Sequence, residues 1–329
     1  MYRLRLICFL IAMLLDNKYE IHFAPLQGLT DVSFRRLHSA LFGGVDFYYT
    51  PFLRIERGLF RKKDLRDLSE DQLPNLVPQV LPGSADELKR LCEPILAKGI
   101  KRVDVNIGCP FPPVMSHGRG AALINNPDTL DDVLRGISSL SSEAEFSLKM
   151  RLGYSDPLQW ENVIDAINAT PLRHVTMHSR IAKQQYRGVC DTEAFDKFYG
   201  RCSHPVIYNG DVLTPADVEA VVNRWPGVRG IMIGRGLLAD LALAAKLRGL
   251  PDADIDTAFR KLHDGMLADA QARMTEPRQV AEHMKPYWDY FCQDDNFRRE
   301  IKAVRKSRTA DQYIAAAAAL INAMSRAKK

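Results

Sequence analysis

A rhythm of short apolar runs and helical patterns is the feature of this sequence that most constrains its fold. Eight runs with the alternation or apolar density of β-strands recur between residues 21 and 233, and most are followed by a segment with helical periodicity. The predicted strands span 21–26, 46–52, 76–81, 103–107, 146–152, 174–178, 205–208 and 230–233. Eight strands that alternate with helices is the count of a closed (β/α)8 barrel, the TIM barrel.

An open, doubly wound sheet is the main alternative, and the first strand argues against it. Such a sheet typically has a glycine-rich fingerprint directly after its first strand, whereas Gly28 stands alone here. Asp31 is predicted to cap the helix that follows, and the charge-dense segment 55–73 is predicted to be surface loop and short helix. We therefore predict an α/β fold with a barrel over residues 18–248.

The strand patterns stop after residue 248, and only helical patterns follow. Helices are predicted near 256–274, 278–292 and 295–307, and a last one begins with the capping-box pattern Thr309-Ala310-Asp311-Gln312. The predicted architecture is thus a TIM barrel with an all-helical C-terminal domain over residues 249–329, a size that can fold as one unit.

Basic side chains concentrate in these predicted C-terminal helices, with few acids between residues 296 and 308. They are Lys285, Arg298, Arg299, Lys302, Arg305, Lys306 and Arg308. A solvated helix face is one interpretation of this cluster, and contact with a phosphate backbone is the other.

The composition is that of a soluble globular protein, with 46% hydrophobic and 26% charged residues among 329. A net charge of +5 permits a polyanionic partner without demanding one. The six cysteines are scattered and form no CxxC pair, which argues against a disulfide framework and a zinc site. We predict no bound metal and a cytoplasmic location.

The N-terminal segment 1–17 is an apolar extension that we leave out of the fold prediction. Arg3 and Arg5 precede the apolar run 6–15, as in a signal peptide, but no small-residue cleavage pattern follows. The run is too short to span a bilayer. A non-native start, with the protein beginning near Lys18, and a targeting role are the two interpretations, and no membrane association is predicted.

Polar or glycine-containing segments follow most of the predicted strands. Catalytic groups of a barrel come from the carboxyl ends of its strands, and glycine loops after strands seven and eight commonly bind phosphate. The candidates are Gln27, Gln79, Asn106, Cys109, Lys149, Arg151, His178, Arg180, Asn209-Gly210-Asp211 and Gly234-Arg235-Gly236.

Three of these candidates have more than one interpretation. Cys109, which follows the strand 103–107 and precedes Pro110, is either a small buried hydrophobe or a reactive thiol. Lys149 lies mid-strand, opposite in direction to Leu148 and Met150, where it could stabilise an anionic cofactor or act as a Schiff-base nucleophile. His178 could touch the same ligand or be a satisfied core histidine.

Taken together, these segments resemble the tRNA-dihydrouridine synthases. The resemblance covers the chain from about Ile21 to its C-terminus and depends on the set of motifs, since no single one is specific. The matching motifs are Ala24-Pro25-Leu26-Gln27-Gly28-Leu29-Thr30-Asp31, Asn106-Ile107-Gly108-Cys109-Pro110, Lys149-Met150-Arg151, His178-Ser179-Arg180, Gln185-Tyr186-Arg187-Gly188, Asn209-Gly210-Asp211 and Ile233-Gly234-Arg235-Gly236.

The resemblance implies an enzyme that uses FMN, with NADPH as the reductant, to reduce the C5–C6 double bond of a specific D-loop uridine in tRNA. It implies that the flavin gives a hydride to C6 and that Cys109 gives a proton to C5. The implied FMN contacts are Pro25, Leu26, Gln27, Gln79, Lys149, His178, Asn209, Gly210, Asp211, Gly234 and Arg235. The implied substrate contacts are Asn106, Arg151, Arg180, Tyr186, Lys285, Lys302 and Arg305, the last three on helices that grip tRNA.

The chain departs from the family pattern at three places. Leu26 replaces the usual methionine, Ser179 replaces a commoner glycine, and Phe111-Pro112-Pro113 replaces small and basic residues after the cysteine. The first two changes are mild, whereas the third stiffens the loop of the thiol. The family divides into groups that present tRNA in different orientations, so we predict no particular uridine as the modified position. We predict that the protein is a monomer.

Three other functions compete with this interpretation. A Schiff-base aldolase or lyase would trap substrate on Lys149 under borohydride and would be colourless. A non-catalytic tRNA-binding barrel would bind RNA without flavin absorption, and an FMN barrel acting on a free pyrimidine would not need the basic helices.

Overall fold

The computed structural model describes residues 19–69, 73–251 and 254–327. Eight parallel strand positions surround a central axis, as predicted, and the helices pack outside them. The predicted N-terminal extension lies outside the described residues. The strands are β1 (Glu20–Phe23), β2 (Phe47–Tyr49), β3 (Ile55–Glu56), β4 (Leu59–Phe60), β5 (Leu76–Val77), β6 (Gln79–Val80), β7 (Arg102–Asn106), β8 (Glu145–Gly153), β9 (Val175–Ile181), β10 (Val206–Asn209) and β11 (Gly230–Ile233).

The helices of the barrel follow the strands in alternation. They are α1 (Val32–Leu41), α2 (Lys62–Ser69), α3 (Ala85–Leu96), α4 (Pro112–Met115), α5 (Pro127–Leu140), α6 (Ile164–Ala169), α7 (Thr192–Arg201), α8 (Pro215–Arg224), α9 (Arg235–Ala239) and α10 (Leu243–Leu247). The C-terminal helices are α11 (Ile255–Arg273), α12 (Pro277–Met284), α13 (Trp288–Phe291), α14 (Arg298–Lys306) and α15 (Ala310–Ala327). None of the described helices is both long and apolar enough to cross a membrane.

The sheet order β5-β2-β1-β11-β10-β9-β8-β7-β6 shows how the barrel closes. The predicted third strand is divided at Pro78, which has no N–H to donate to a neighbouring strand, so its halves β5 and β6 end the two sides of the sheet. Hydrogen bonds bridge this seam, from Thr50 N to Val77 O at 3.2 Å and from Leu53 N to Gln79 O at 2.8 Å. The barrel is therefore nearly continuous despite the break.

Local capping explains where several helices begin. Asp31 accepts from Phe34 N at 3.0 Å and caps α1, as predicted. Asp191 caps α7, a helix that the sequence analysis missed although Phe195 and Phe198 form its buried face.

Two predicted helices are interrupted. Residues 157–169, one of the segments with helical periodicity between the predicted strands, form a 3₁₀ turn over Gln159–Asn162 followed by α6. The predicted helix near 278–292 is divided into α12, a 3₁₀ turn and α13, because Pro286 cannot donate the hydrogen bond that a continuous helix needs there.

The C-terminal helices pack against the first barrel helix rather than extending into solvent. Tyr287 donates from its hydroxyl to the carbonyl oxygen of Leu29 at 2.6 Å, and its ring stacks on Phe34 at 5.8 Å between centroids. His263 and Trp288 both hydrogen-bond the Tyr313 hydroxyl at 2.9 Å inside the helical layer. The boundary at residue 248 stays a prediction, but the helices beyond it are fixed on the loop that follows β1.

Candidate active site

A cavity of about 660 Å³ opens where the barrel strands end. This is the face on which TIM-barrel enzymes place their chemistry, and the volume suits a small cofactor. Most of the predicted site residues line it. These are Pro25, Leu26, Gln27, Gln79, Asn106, Cys109, Lys149, Arg151, His178, Tyr186, Asn209, Gly210, Asp211, Gly234 and Arg235.

Cys109 lies on the loop after β7, at the wall of the cavity. Asn106 Oδ1 accepts from the N–H groups of Gly108 and Cys109, both at 2.9 Å, which folds the loop back over the strand end. Burial raises the pKa of the Cys109 thiol above its ordinary value, against weaker opposing effects of the Phe111 backbone and nearby cations. The thiol therefore keeps its proton at neutral pH, as a proton donor must.

Lys149 points into the cavity from the middle of β8, as the strand alternation predicts. Its Nζ donates to Asn209 Oδ1 at 2.9 Å. Burial and the charge of Arg151 lower the pKa of Lys149 to about 8, although Asp104 opposes them. The ammonium is thus held by a neutral amide oxygen, which leaves its charge available to an anionic ligand.

Arg151 connects the thiol loop to the loop that carries Tyr186. Its Nε donates to the Gly108 carbonyl at 3.1 Å and its Nη1 donates to the Gln185 carbonyl at 2.8 Å. The guanidinium lies over the Tyr186 ring, 5.6 Å from the centroid. His178 is buried beside these cations. Burial is the main reason that the pKa of His178 lies well below its ordinary value, and the positive charges nearby lower it further, so the imidazole is neutral.

The part of the lining that follows β10 is organised around Asp211, which forms ion pairs with Arg180 and Arg235. Gly210 precedes it with a φ of +151°, and a Cβ there would lie 2.5 Å from Cys190 Sγ. Only glycine therefore fits at this position, and the turn presents Asn209 and Asp211 to the cavity.

Cations dominate the lining of this cavity. Among the described residues, six basic side chains and one carboxylate, that of Asp211, line it. The basic residues are Arg54, Arg61, Lys63, Lys149, Arg151 and Arg235. Such a donor set fits a ligand with several negative charges, such as a phosphorylated cofactor or a nucleic acid.

Four predicted substrate residues lie outside this lining. The Arg180 side chain is 1% exposed and donates to the Gly188 carbonyl at 2.7 Å, so it holds the Tyr186 loop from behind. Lys285 pairs with Glu282 at 3.1 Å, and Arg305 pairs with Asp289 at 2.8 Å. Lys302 and Arg305 line a separate depression on the C-terminal helices that also contains acidic residues. Their roles stay predictions.

Several lining residues were missed by the sequence analysis. Arg61 and Lys63 come from the segment 55–73, predicted to be surface loop and short helix, where β3 and β4 form a hairpin that turns it towards the cavity. Arg54 lies two residues after the end of the second predicted strand, and this position was the available signal. Tyr290 reaches the cavity from α13, and no local pattern in the sequence indicates that contact.

Comparison with known proteins shows which protein family this chain matches. The model of the dihydrouridine synthase family matches residues 22–324. The tRNA-dihydrouridine(16) synthase of Cupriavidus necator is 28% identical over 265 residues, which are 74% of this chain and 82% of the relative. The tRNA-dihydrouridine synthase B of Proteus vulgaris is 24% identical over 292 residues, 85% of this chain and 90% of the relative.

Solved structures with a similar fold are more distant. Histamine dehydrogenase from Rhizobium sp. 4-9 aligns with a TM-score of 0.52 at 12% identity, over 79% of this chain and 50% of that one. Morphinone reductase in complex with tetrahydroNAD aligns with a TM-score of 0.50 at 9% identity, over 73% of this chain and 90% of that one. Identities this low support the barrel fold alone.

Proposed function

The chain belongs to the dihydrouridine synthase family, and from this premise we propose that it reduces a D-loop uridine of tRNA to dihydrouridine with FMN as cofactor and NADPH as reductant. One observation carries the proposal: a protonated thiol, that of Cys109, lies in the wall of a strongly cationic cavity at the carboxyl end of the barrel. The proposal includes a monomer that works in the cytoplasm.

The lining of the cavity fits FMN in charge and in size. Lys149 and Arg235 would hold anionic parts of the cofactor, and the turn at Gly210 gives the backbone room to approach it. The full proposed contact set is Pro25, Leu26, Gln27, Gln79, Lys149, His178, Asn209, Gly210, Asp211, Gly234 and Arg235. When bound and reduced, FMN supplies a hydride for C6 of the uracil.

Cys109 is the proposed proton donor to C5. Its thiol carries a proton at neutral pH because burial raises its pKa, and Asn106 and Arg151 fix the backbone on either side of Gly108. A target base must leave its stack to enter such a cavity. Tyr186, which is 50% exposed at the cavity, offers an aromatic face on which that base or its neighbour can stack.

The C-terminal helices are the proposed tRNA grip. Lys285, Lys302 and Arg305 would contact phosphates, and Arg305 would have to exchange Asp289 for a phosphate oxygen to do so. Tyr290 of the same helical layer lines the cavity, so RNA held by these helices is close to the chemistry.

The test is a direct one. The purified full chain is expected to be yellow or to bind added FMN, and to convert uridine to dihydrouridine in unmodified tRNA when NADPH is supplied. Mass spectrometry of nuclease fragments would locate the modified position. A colourless protein that takes up no FMN would contradict the proposal, and covalent trapping of a carbonyl substrate on Lys149 by borohydride would favour the aldolase alternative instead.

A further inference from the structure

A buried chain of hydrogen bonds runs beneath the Cys109 loop. Asn106 Oδ1 accepts from the Gly108 and Cys109 N–H groups, and Asn106 Nδ2 donates to Gln79 Oε1 at 2.9 Å. Gln79 Nε2 in turn donates to Asp104 Oδ2 at 2.7 Å. We call Asp104, Gln79 and Asn106 the amide relay.

The relay ends inside the barrel, away from the cavity. Asp104 is fully buried, and its other carboxylate oxygen accepts from Ser147 Oγ at 2.6 Å. Gln79 has no exposed surface either, although it borders the cavity, so Asp104 at least cannot exchange its partner for bulk water. Each hydrogen bond of the relay is therefore costly to lose.

The two ends of the relay determine its direction. Backbone N–H groups can only donate. Burial raises the pKa of Asp104 to about 6, so at neutral pH its carboxylate is ionised and can only accept. Between these ends, the amides of Gln79 and Asn106 must both turn their oxygens towards the loop and their NH2 groups towards Asp104. The arrangement seen is thus the only one that satisfies every buried group.

We propose that Asp104 is a positioning residue for Cys109, which it holds in place through Gln79 and Asn106 without touching the loop. The inference rests on the proposed role of Cys109 as proton donor. It also revises the role of Asn106: besides lining the cavity, Asn106 anchors the backbone of the thiol loop. The Gly108 peptide is held from its other side by Arg151, which donates to its carbonyl.

Moving the carboxylate along the relay tests this directly. Asn106→Asp alone places acceptors on both sides of Gln79, which has one NH2 group to give, so one carboxylate is left facing an oxygen. Asp104→Asn alone keeps every bond, because the new amide can accept from Gln79 and donate to Ser147. In the double variant Gln79 reverses its amide, and all groups are satisfied again.

The primary measurements are the alkylation rate of Cys109 by iodoacetamide, followed by mass spectrometry, and the amide signal of Cys109 in protein labelled with ¹⁵N-cysteine. Asn106→Asp is expected to change the alkylation rate by roughly tenfold, the scale of one lost buried hydrogen bond. The double variant and Asp104→Asn are expected within about twofold of the parent. In turnover assays kcat should fall for Asn106→Asp and stay near the parental value for Ser147→Ala, which lies outside the cavity lining.

Ser147→Ala is the matched control. It removes the hydroxyl on the far side of Asp104 and leaves the direction of the relay intact, so the Cys109 alkylation rate should stay near that of the parent. If Asn106→Asp does not fold, Gln79→Glu can replace it in the test. Gln79→Glu alone places two carboxylates against each other, and adding Asp104→Asn turns one of them into an amide that can donate.

Rescue of the single variant by the second substitution supports the relay. An Asn106→Asp variant that behaves like the parent, or a double variant as perturbed as the single one, overturns it. Both primary measurements need neither NADPH nor tRNA. A chain that makes no dihydrouridine but shows the rescue would thus refute the proposed function and retain the relay.

Discussion

Both ends of the barrel carry clusters of polar side chains, but the clusters differ in how those side chains are paired. At the amino end of the strands, Glu20 accepts from His22 at 3.1 Å and from Arg229 at 2.7 Å, and His22 also hydrogen-bonds the Tyr49 hydroxyl at 2.7 Å. Beside these side chains and the Phe47 ring, the space inside the barrel is about 10 Å³, room for one water molecule at most, and the larger depression at this end lies outside the strands, between residues 97–102 and 141–145. At the carboxyl end, cations surround about 660 Å³.

This difference shows which observation points to function. Histidines, arginines and carboxylates occur at both ends, so the presence of titratable groups does not distinguish a functional site from a structural cluster. At the amino end, Arg102 and Arg173 both pair with Glu145 and both lie against the Phe47 ring, 5.2 and 5.7 Å from its centroid. At the carboxyl end, Lys149 and Arg151 are held by neutral oxygens beside open volume.

The largest expected effect comes from removing the thiol at the carboxyl end. Cys109→Ala should lower the rate of dihydrouridine formation by roughly 10²- to 10⁴-fold, the usual contribution of a positioned proton donor, and leave FMN binding intact. Cys202→Ala is the matched control, because that half-buried thiol lies before β10 at the amino end. Equal activity of the two variants in single-turnover assays would remove Cys109 as the acid.

Removing the positive charge of Lys149 at the same end should have the next largest effect. Lys149→Met keeps the length of the side chain and is expected to weaken FMN binding roughly 10- to 100-fold, the scale of a hydrogen bond to a charged group. Because Lys149 has a pKa of about 8 and binds anions when protonated, parental affinity should fall as pH rises through about 8.

Fluorescence titration of FMN between pH 6 and pH 10, a range chosen as roughly two units around that pKa, measures both effects. The pH dependence should be absent in Lys149→Met. Arg229→Gln, at the amino end, serves as the control and should bind FMN like the parent; a loss of affinity there would contradict the division between the two ends.

The smallest effect is expected at the amino end, and on stability alone. Burial would raise the pKa of Glu20, but hydrogen bonds from His22 and Arg229 outweigh it and hold the value at about 2. A lowered pKa stabilises the folded protein above the unfolded value near 4.5, and that contribution disappears as pH falls towards about 2.

Glu20→Gln should therefore lower the free energy of unfolding by about 1 kcal/mol at neutral pH, reduced by solvent screening. The difference from the parent should shrink as pH falls below about 4, near the ordinary pKa of a glutamate. Urea unfolding at several pH values measures it. Activity of the folded variant should not change, and a clear loss of kcat would show that the amino end contributes to the chemistry.

The barrel and most of its site were predictable because strand periodicity is a local property of the sequence. Once eight parallel strands close a barrel, their carboxyl ends share one rim, so polar residues as far apart in sequence as Gln79 and Arg235 come together. The predicted fold is confirmed by the structure.

What could not be predicted depends on contacts between distant segments. The sequence predicts one strand through Pro78. Only the sheet order shows that the strand is divided there and that its halves, β5 and β6, form the two edges of the sheet. The motif predicts Arg180 to be a substrate contact, and that role stays a prediction; only the fold shows that its buried side chain pairs with Asp211 outside the cavity lining. Tyr290 enters the cavity because of how a whole layer of helices packs, which no stretch of its own sequence specifies.

The hydrogen bond from Tyr287 to the Leu29 carbonyl has a consequence for exchanging parts between relatives. It ties the C-terminal helices to the same loop whose residues Leu26 and Gln27 line the cavity. In the proposed function these helices hold tRNA, and this contact would then set where the RNA lies relative to the cavity. A chimera that takes the C-terminal helices from a relative must therefore take the matching loop after β1 as well.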